Sequence, residues 1–184
     1  MNNFIYENTT KVYFGKGGVK EYLCCLLKNV SDTVMLAYGG GSIKKNGIYD
    51  EVTAILQKAG KTVVEFSGIM SNPTYAKAQE GAKLVRENHV DFILAVGGGS
   101  VIDCCKIVSA QAKSADDIWE METVKRIYPS DFVPMGAIVT AAGTGSEMNN
   151  GAVITNEDQK IKCGLMGAQA QFVFLDPSYT MSVP

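Results

Sequence analysis

The chain has 184 residues, 46% of them hydrophobic, with 17 basic and 19 acidic side chains and a formal net charge of −2. That length and apolar content suit one α/β domain with a core of its own. A mildly negative chain without a basic run is a poor nucleic-acid surface. No run of ~18 apolar residues is present to span a membrane, and the opening residues do not read as a signal peptide.

The five cysteines are Cys24, Cys25, Cys104, Cys105 and Cys163. Two vicinal pairs in helical segments are poor disulfide partners and lack the spacing of zinc sites. They read as small hydrophobes in a reducing, cytoplasmic protein. His89 is the only histidine and reads as a helix-end residue, so the chain cannot build a histidine-rich metal site.

Taken in order, residues 4–14 hold two short β-prone runs, expected as a hairpin or extended arm. Val19, Leu23, Leu26 and Leu27 form a helical stripe. Thr33–Tyr38 reads as a buried strand, followed by Gly39, Gly40, Gly41 and Ser42. Ile48, Val52, Ile55, Leu56 and Ala59 share one helix face, which Gly60 ends. Thr62–Phe66 reads as a second strand, Ser71-Asn72-Pro73 as a turn, and Thr74–Glu87 as a helix with Ala78, Ala82 and Val85 inward.

Phe92–Val96 is an apolar run without alternation, the pattern of a strand buried on both faces. Gly97, Gly98 and Gly99 follow. Val101, Cys105, Val108 and Ala112 then recur at helical spacing. Ser100 is expected to cap this helix, and Asp103 to close a capping box or to bond a ribose hydroxyl. Beyond Ala112 the pattern weakens to a short helix over Asp116–Ile127, carrying Trp119, and a loop between Pro129 and Pro134. Met135–Val139 reads as a strand that runs into Thr140–Glu147, a third turn rich in glycine and hydroxyls. Gly151–Thr155 and Ile161–Leu165 are expected to pair antiparallel. Phe172–Leu175 is a last strand, stopped by Asp176-Pro177.

Strands alternating with helices predict a doubly wound, mostly parallel α/β sheet, Rossmann-like, with helices on both faces. Its three glycine turns would lie at strand C-terminal ends, where open α/β sheets bind ligands. Glycines let a phosphate approach the backbone, and the free amides of a helix's first turn favour an anion there. The turns therefore predict a nucleotide site, although none fits GxGxxG or the P-loop pattern. Taken singly, each also reads as an unliganded, capped turn.

The stretches YGGGSIKK (38–45), SNP (71–73), AVGGGSVIDCCK (95–106), TAAGTGSEMNNGAV (140–153) and LDPSYTMSVP (175–184) together resemble the iron-dependent, or group III, alcohol dehydrogenases. The branch they resemble is that of the butanol dehydrogenases and NADPH-dependent aldehyde reductases. The resemblance implies an N-terminal domain that binds NAD(H) or NADP(H). It also implies an all-helical C-terminal domain that holds a divalent metal, iron or zinc, through one aspartate and three histidines. It implies pyrophosphate and ribose contacts at Gly98, Gly99, Ser100 and Asp103. Contacts near the nicotinamide half are implied at Asn72, Thr140, Thr144 and Ser146, with a further cofactor contact at Lys162. Gly39, Gly40, Gly41, Ser42 and Gly97 complete the candidate set.

The sequence stops at Pro184, where the family passes from one domain to the next. The helical domain and its four ligands are therefore expected to be absent. Residues 1–184 would form the cofactor domain alone, with 1–15 as a β arm and 176–184 as the start of a linker. No catalytic residue and no metal ligand is expected within it. The whole enzyme would interconvert a primary alcohol and an aldehyde by hydride transfer, with residues 1–184 inactive alone. NAD-dependent members usually carry an aspartate just after the first strand. Residues 39–45 hold no carboxylate, so Ser42, free amides and the nearby Lys44 and Lys45 predict NADP(H) over NAD(H). A homodimer is expected. Two other readings remain: a glycerol-dehydrogenase-like enzyme, and a non-catalytic nucleotide-binding or interaction module.

Overall fold

A computed structural model describes residues 3, 5, 7–28, 30, 32–181 and 183. Its elements follow the apolar runs. Lys11–Phe14 (β1) leads into Gly18–Lys28 (α1), which buries Val19, Leu23 and Leu27. Thr33–Tyr38 (β2) is followed by a single helical turn, Ser42–Lys45 (α2). Ile48–Lys58 (α3) buries Ile48, Val52 and Leu56, at the four-residue spacing that keeps side chains on one face. After Thr62–Phe66 (β3), Thr74 caps Tyr75–Glu87 (α4) by accepting from the Lys77 amide at 3.2 Å. Phe92–Gly98 (β4) runs directly into Gly99–Lys113 (α5). Ile118–Glu120 (α6), Met135–Ala141 (β5), Gly151–Asn156 (β6), Ile161–Met166 (β7) and Phe172–Leu175 (β8) complete the order.

The main sheet has the order β1-β8-β5-β4-β2-β3, with every pairing parallel. Its central strands bury both faces. On β2, Val34, Leu36 and Tyr38 enter one apolar layer, and Met35 and Ala37 the other. On β4, Phe92, Leu94 and Val96 oppose Ile93 and Ala95 in the same way. Helices α1 and α3 cover the first layer and α4 and α5 the second, as a sheet apolar on both sides requires. From β2 the chain moves outward to β3, then crosses back to place β4 on the other side of β2. That reversal opens a crevice above the C-terminal ends of β2 and β4.

Three expectations need correction. Among the described residues no hairpin forms in the N-terminal stretch: β1 pairs parallel with β8, and Phe4 and Tyr6 lie outside the described residues. The hydrogen-bonding partner of β1 is the distant β8, and the carboxylate of Asp176, just past β8, accepts from the Gly17 amide at 2.7 Å. The helix expected over Asp116–Ile127 divides into α6 and a π-helical turn, Met121–Lys125. Asp117 starts it by accepting from the Glu120 amide, and Arg126, with φ 58, ends it. Ser100 is not an N-cap. Gly98 holds that position, without a side-chain cap, and Ser100 already lies inside α5.

The β6–β7 pair forms as expected, but as a separate two-stranded ribbon. It docks beside the turn at 71–73: the Thr155 amide donates to the Pro73 carbonyl at 3.0 Å. All five cysteines are free thiols. No helix among the described residues is long and apolar enough to cross a membrane.

Candidate cofactor site

A cleft of about 380 Å³ lies at the reversal point of the sheet. One wall is the turn after β2, with Gly39, Gly40, Ser42 and Ile43. The opposite wall is Val96–Val101, and Ile69–Ser71 and Thr140–Ala141 close the ends. The two walls come together because β2 and β4 are hydrogen-bonded neighbours, with Tyr38 opposite Val96.

Local geometry explains the glycines. Gly41 has φ 100, a left-handed conformation that lets the chain turn sharply out of β2 into α2. At Gly97 a Cβ would meet the Val101 side chain at 2.5 Å. Only a bare backbone can lie that close beneath the first turn of α5. The pairing of β4 with β5 also slips between Gly97 and Gly98, which turns the chain into the helix. The first-turn amides of α5, a 15-residue helix, then face the cleft without intrahelical partners.

The third turn is latched from below by a side chain absent from the candidate set. Lys106, fully buried on α5, donates through Nζ to the Gly151 carbonyl at 2.6 Å, Asn149 Oδ1 at 3.0 Å and Ser146 Oγ at 3.2 Å. Its Nζ also lies 3.7 Å from Asp103 Oδ1. Asp103 makes no capping box. Ser146 Oγ donates to its Oδ1, and the Val153 amide to its Oδ2 at 3.0 Å. Both carboxylate oxygens therefore already have protein donors. Burial lowers the Lys106 pKa to about 8, against the opposing pull of Asp103. The latch places the Thr144 hydroxyl 2.7 Å from where a Gly99 Cβ would stand.

The predicted residues thus fall into groups. Gly39, Gly40, Ser42, Gly97, Gly98, Gly99, Ser100 and Thr140 line one cleft, and Gly41 shapes it. Thr144 overlies Gly99, while Ser146 and Asp103 belong to the Lys106 network. Asn72 and Lys162 meet in a pair of their own, Lys162 Nζ donating to Asn72 Oδ1 at 2.6 Å where the ribbon docks. Lys106 was legible in one respect: it is the one basic residue within the mostly apolar and small helical run Val101–Ala112. A lysine so placed needs buried acceptors.

The open space at Gly40, where a Cβ would meet nothing within 4 Å, and the glycine-floored cleft fit a dinucleotide phosphate. A metal does not fit: the described residues contain no group of three or more His, Cys, Asp or Glu side chains that could hold one.

A doubly wound parallel sheet with such a cleft at its reversal point is the architecture in which α/β proteins bind dinucleotides. The family profile described as "Iron-containing alcohol dehydrogenase" matches residues 9–177, and the chain belongs to that family. It is 47% identical to "Probable NADH-dependent butanol dehydrogenase 1" of Bacillus subtilis, over all of this chain and 48% of that relative. It is 40% identical to the NADPH-dependent aldehyde reductase YqhD of Escherichia coli, over all of this chain and 48% of the relative. Among solved structures, NADH-dependent butanol dehydrogenase A of Thermotoga maritima superposes with a TM-score of 0.93 at 38% identity, over all of this chain and 46% of that one. The chain spans about half the length of the curated relatives it matches.

Proposed function

We propose that residues 1–184 are the cofactor-binding portion of an alcohol dehydrogenase that interconverts a primary alcohol and an aldehyde. The observation that carries this reading is the glycine-floored cleft between the β2 and β4 turns. Bound nicotinamide dinucleotide supplies the hydride acceptor, or the donor in reverse. The backbone of Gly97–Gly99 and the first turn of α5 hold the pyrophosphate, with Ser100 beside it. Gly39–Ser42 receive the adenosine end. Thr140, Thr144, Asn72 and Lys162 orient the nicotinamide end, and the Lys106–Asp103–Ser146 latch fixes the third turn against it. The described residues supply no Lewis acid. Residues 1–184 by themselves therefore bind cofactor and do not turn over alcohol; an iron or zinc ion enters this reading only with a longer chain.

NADP(H) is the preferred form in this proposal, because the turn at 39–45 carries no carboxylate and ends in two lysines. Titration with NADPH and NADH, read by Trp119 fluorescence or calorimetry, should give tighter NADPH binding without added metal. Failure to bind either would refute the reading. Gly40→Asp should then reverse the preference, weakening NADPH by about tenfold through repulsion of its 2′-phosphate. Position 40 is the one to change, since its φ is ordinary and its surroundings open, whereas Gly41 is left-handed.

The same reading includes a homodimer. Among the described residues β1 is an edge strand with no strand on its outer side, and its Phe14 is 77% exposed. Light scattering of a concentrated sample should report twice the chain mass; a clean monomer would contradict the proposal. Cytoplasmic residence accords with the five free thiols.

A further inference from the structure

The turn after β2 carries no acid of its own, but the fold brings one beside it. Glu65, on β3, stands 24 residues past Gly41 and on the strand next to β2, where nucleotide-binding sheets place the acid that bonds ribose hydroxyls. The segments on either side are tied together: the Gly68 amide donates to the Gly39 carbonyl at 3.1 Å, and the Ile69 amide to the Tyr38 carbonyl at 3.3 Å.

Glu65 is not a bare charge. Tyr38 donates to Oε2 at 2.6 Å, and Tyr49 donates to Oε1. Lys44 Nζ lies 3.7 Å from Oε2 and sits over the Tyr49 ring, 4.4 Å from its centroid, and the Tyr38 ring, at 5.2 Å. The hydrogen bonds of Tyr38, then of Tyr49, hold the Glu65 carboxyl below its ordinary value, and Lys44 adds to them. The carboxylate is ionised at neutral pH, and Lys44 is the cation that balances it. The cluster lies next to the cleft wall in the chain: Tyr38 precedes Gly39, Lys44 follows Ile43, and Glu65 lies four residues before Ile69.

We propose that Glu65 and Lys44 together set the choice between NADP(H) and NAD(H), Glu65 as the charge that disfavours a 2′-phosphate and Lys44 as the counter-charge that cancels it. The inference rests on the dinucleotide reading above and explains how a turn without a carboxylate can still have its preference tuned. Both side chains are nearly half exposed, 45% for Glu65 and 48% for Lys44. Their fields therefore reach a ligand at the rim, and salt screens them.

The test titrates the protein, K44M, E65Q and the double variant with NADPH and NADH, at low and high salt. K44M should weaken NADPH by about tenfold at low salt and leave NADH within about twofold. E65Q should tighten NADPH, the double variant should recover from the K44M loss, and the K44M effect should shrink at high salt. K44R should behave as the unmodified protein. A double variant as weak as K44M would overturn the proposal, because Lys44 would then act on the phosphate without Glu65. Equal weakening of both cofactors by K44M would overturn it too, as a structural effect. If the unmodified protein binds NADPH and NADH and only the variants fail to separate them, the selector is wrong and the cofactor reading stands. If it binds neither, both fall.

Discussion

Lys106→Met should destabilise the protein by about 2 kcal/mol and loosen the turn that faces the cradle. The substitution nearly preserves side-chain volume, so the cost arises from the polar partners. The Gly151 carbonyl loses its charged donor, at about 1–3 kcal/mol for an acceptor left unpaired, while the exposed Asn149 Oδ1 loses one donor and keeps the Gly151 amide at 3.0 Å. Asp103 loses its nearby cation but keeps the Ser146 and Val153 donors, which limits the damage. Denaturant unfolding of both proteins measures the difference. Cofactor titration should show weaker binding, since the turn carrying Thr144 is then held by the Ser146–Asp103 bond without the ties from Lys106.

The same pair of proteins carries a pH signature. Burial holds Lys106 at about 8, below its ordinary 10.5, so between these values the unfolded chain binds more protons than the native one. Stability contributed by this group therefore rises as pH climbs from about 8 towards 10.5. The thiols of Cys104 and Cys105, pushed up by burial, act in the opposite direction above their ordinary value of 9.0. The difference between the unmodified protein and K106M cancels the thiols and should increase with pH over that window. A flat difference would show that Lys106 titrates as an exposed lysine.

Gly97→Ala should have the second large effect. Its Cβ would stand 2.5 Å from Val101 Cγ2 and 2.7 Å from Val101 Cβ. A β-branched residue on a helix has few rotamers to escape to, and its own Cβ cannot move without the helix. The first turn of α5 must shift, at a cost of about 1–3 kcal/mol. The same shift moves the amides that face the cleft, so NADPH affinity should fall by about tenfold or more. Gly40→Ala, whose Cβ meets nothing within 4 Å, is the matched control and should keep normal stability. If G97A bound NADPH normally while melting lower, the cradle would be structural and the cofactor would lie elsewhere.

These effects also show where the sequence was readable. Phe92–Val96 declares a doubly buried strand because five consecutive apolar residues have no polar face to show water, and the strand formed there. Thr33–Tyr38 and Phe172–Leu175, also largely apolar runs, formed at their expected bounds, as did the edge strand Thr62–Phe66, which exposes Thr62 and Glu65. Helical stripes such as Ile48, Val52 and Leu56 are equally local signals. The glycine motifs were specific enough to mark three turns and to resemble one family.

What the tertiary structure decided depends on partners distant in sequence. β1 joined β8, some 160 residues away, because an edge strand is placed by the sheet that accepts it rather than by its own pattern. Ser100 and Asp103 match a capping box by spacing. β4 instead runs straight into α5, so the cap falls at Gly98, and a ribbon 50 residues on claims the carboxylate. Lys106 became a latch only when Gly151 and Asn149 were folded over it. Glu65 came beside the first glycine turn through the parallel pairing of β3 with β2. By itself the sequence determined the strands, the helix faces and the glycine turns, since these rest on periodicity and on conformations only glycine adopts. Charge neighbourhoods needed the fold, because the electrostatic partner of a side chain is set by distance in space.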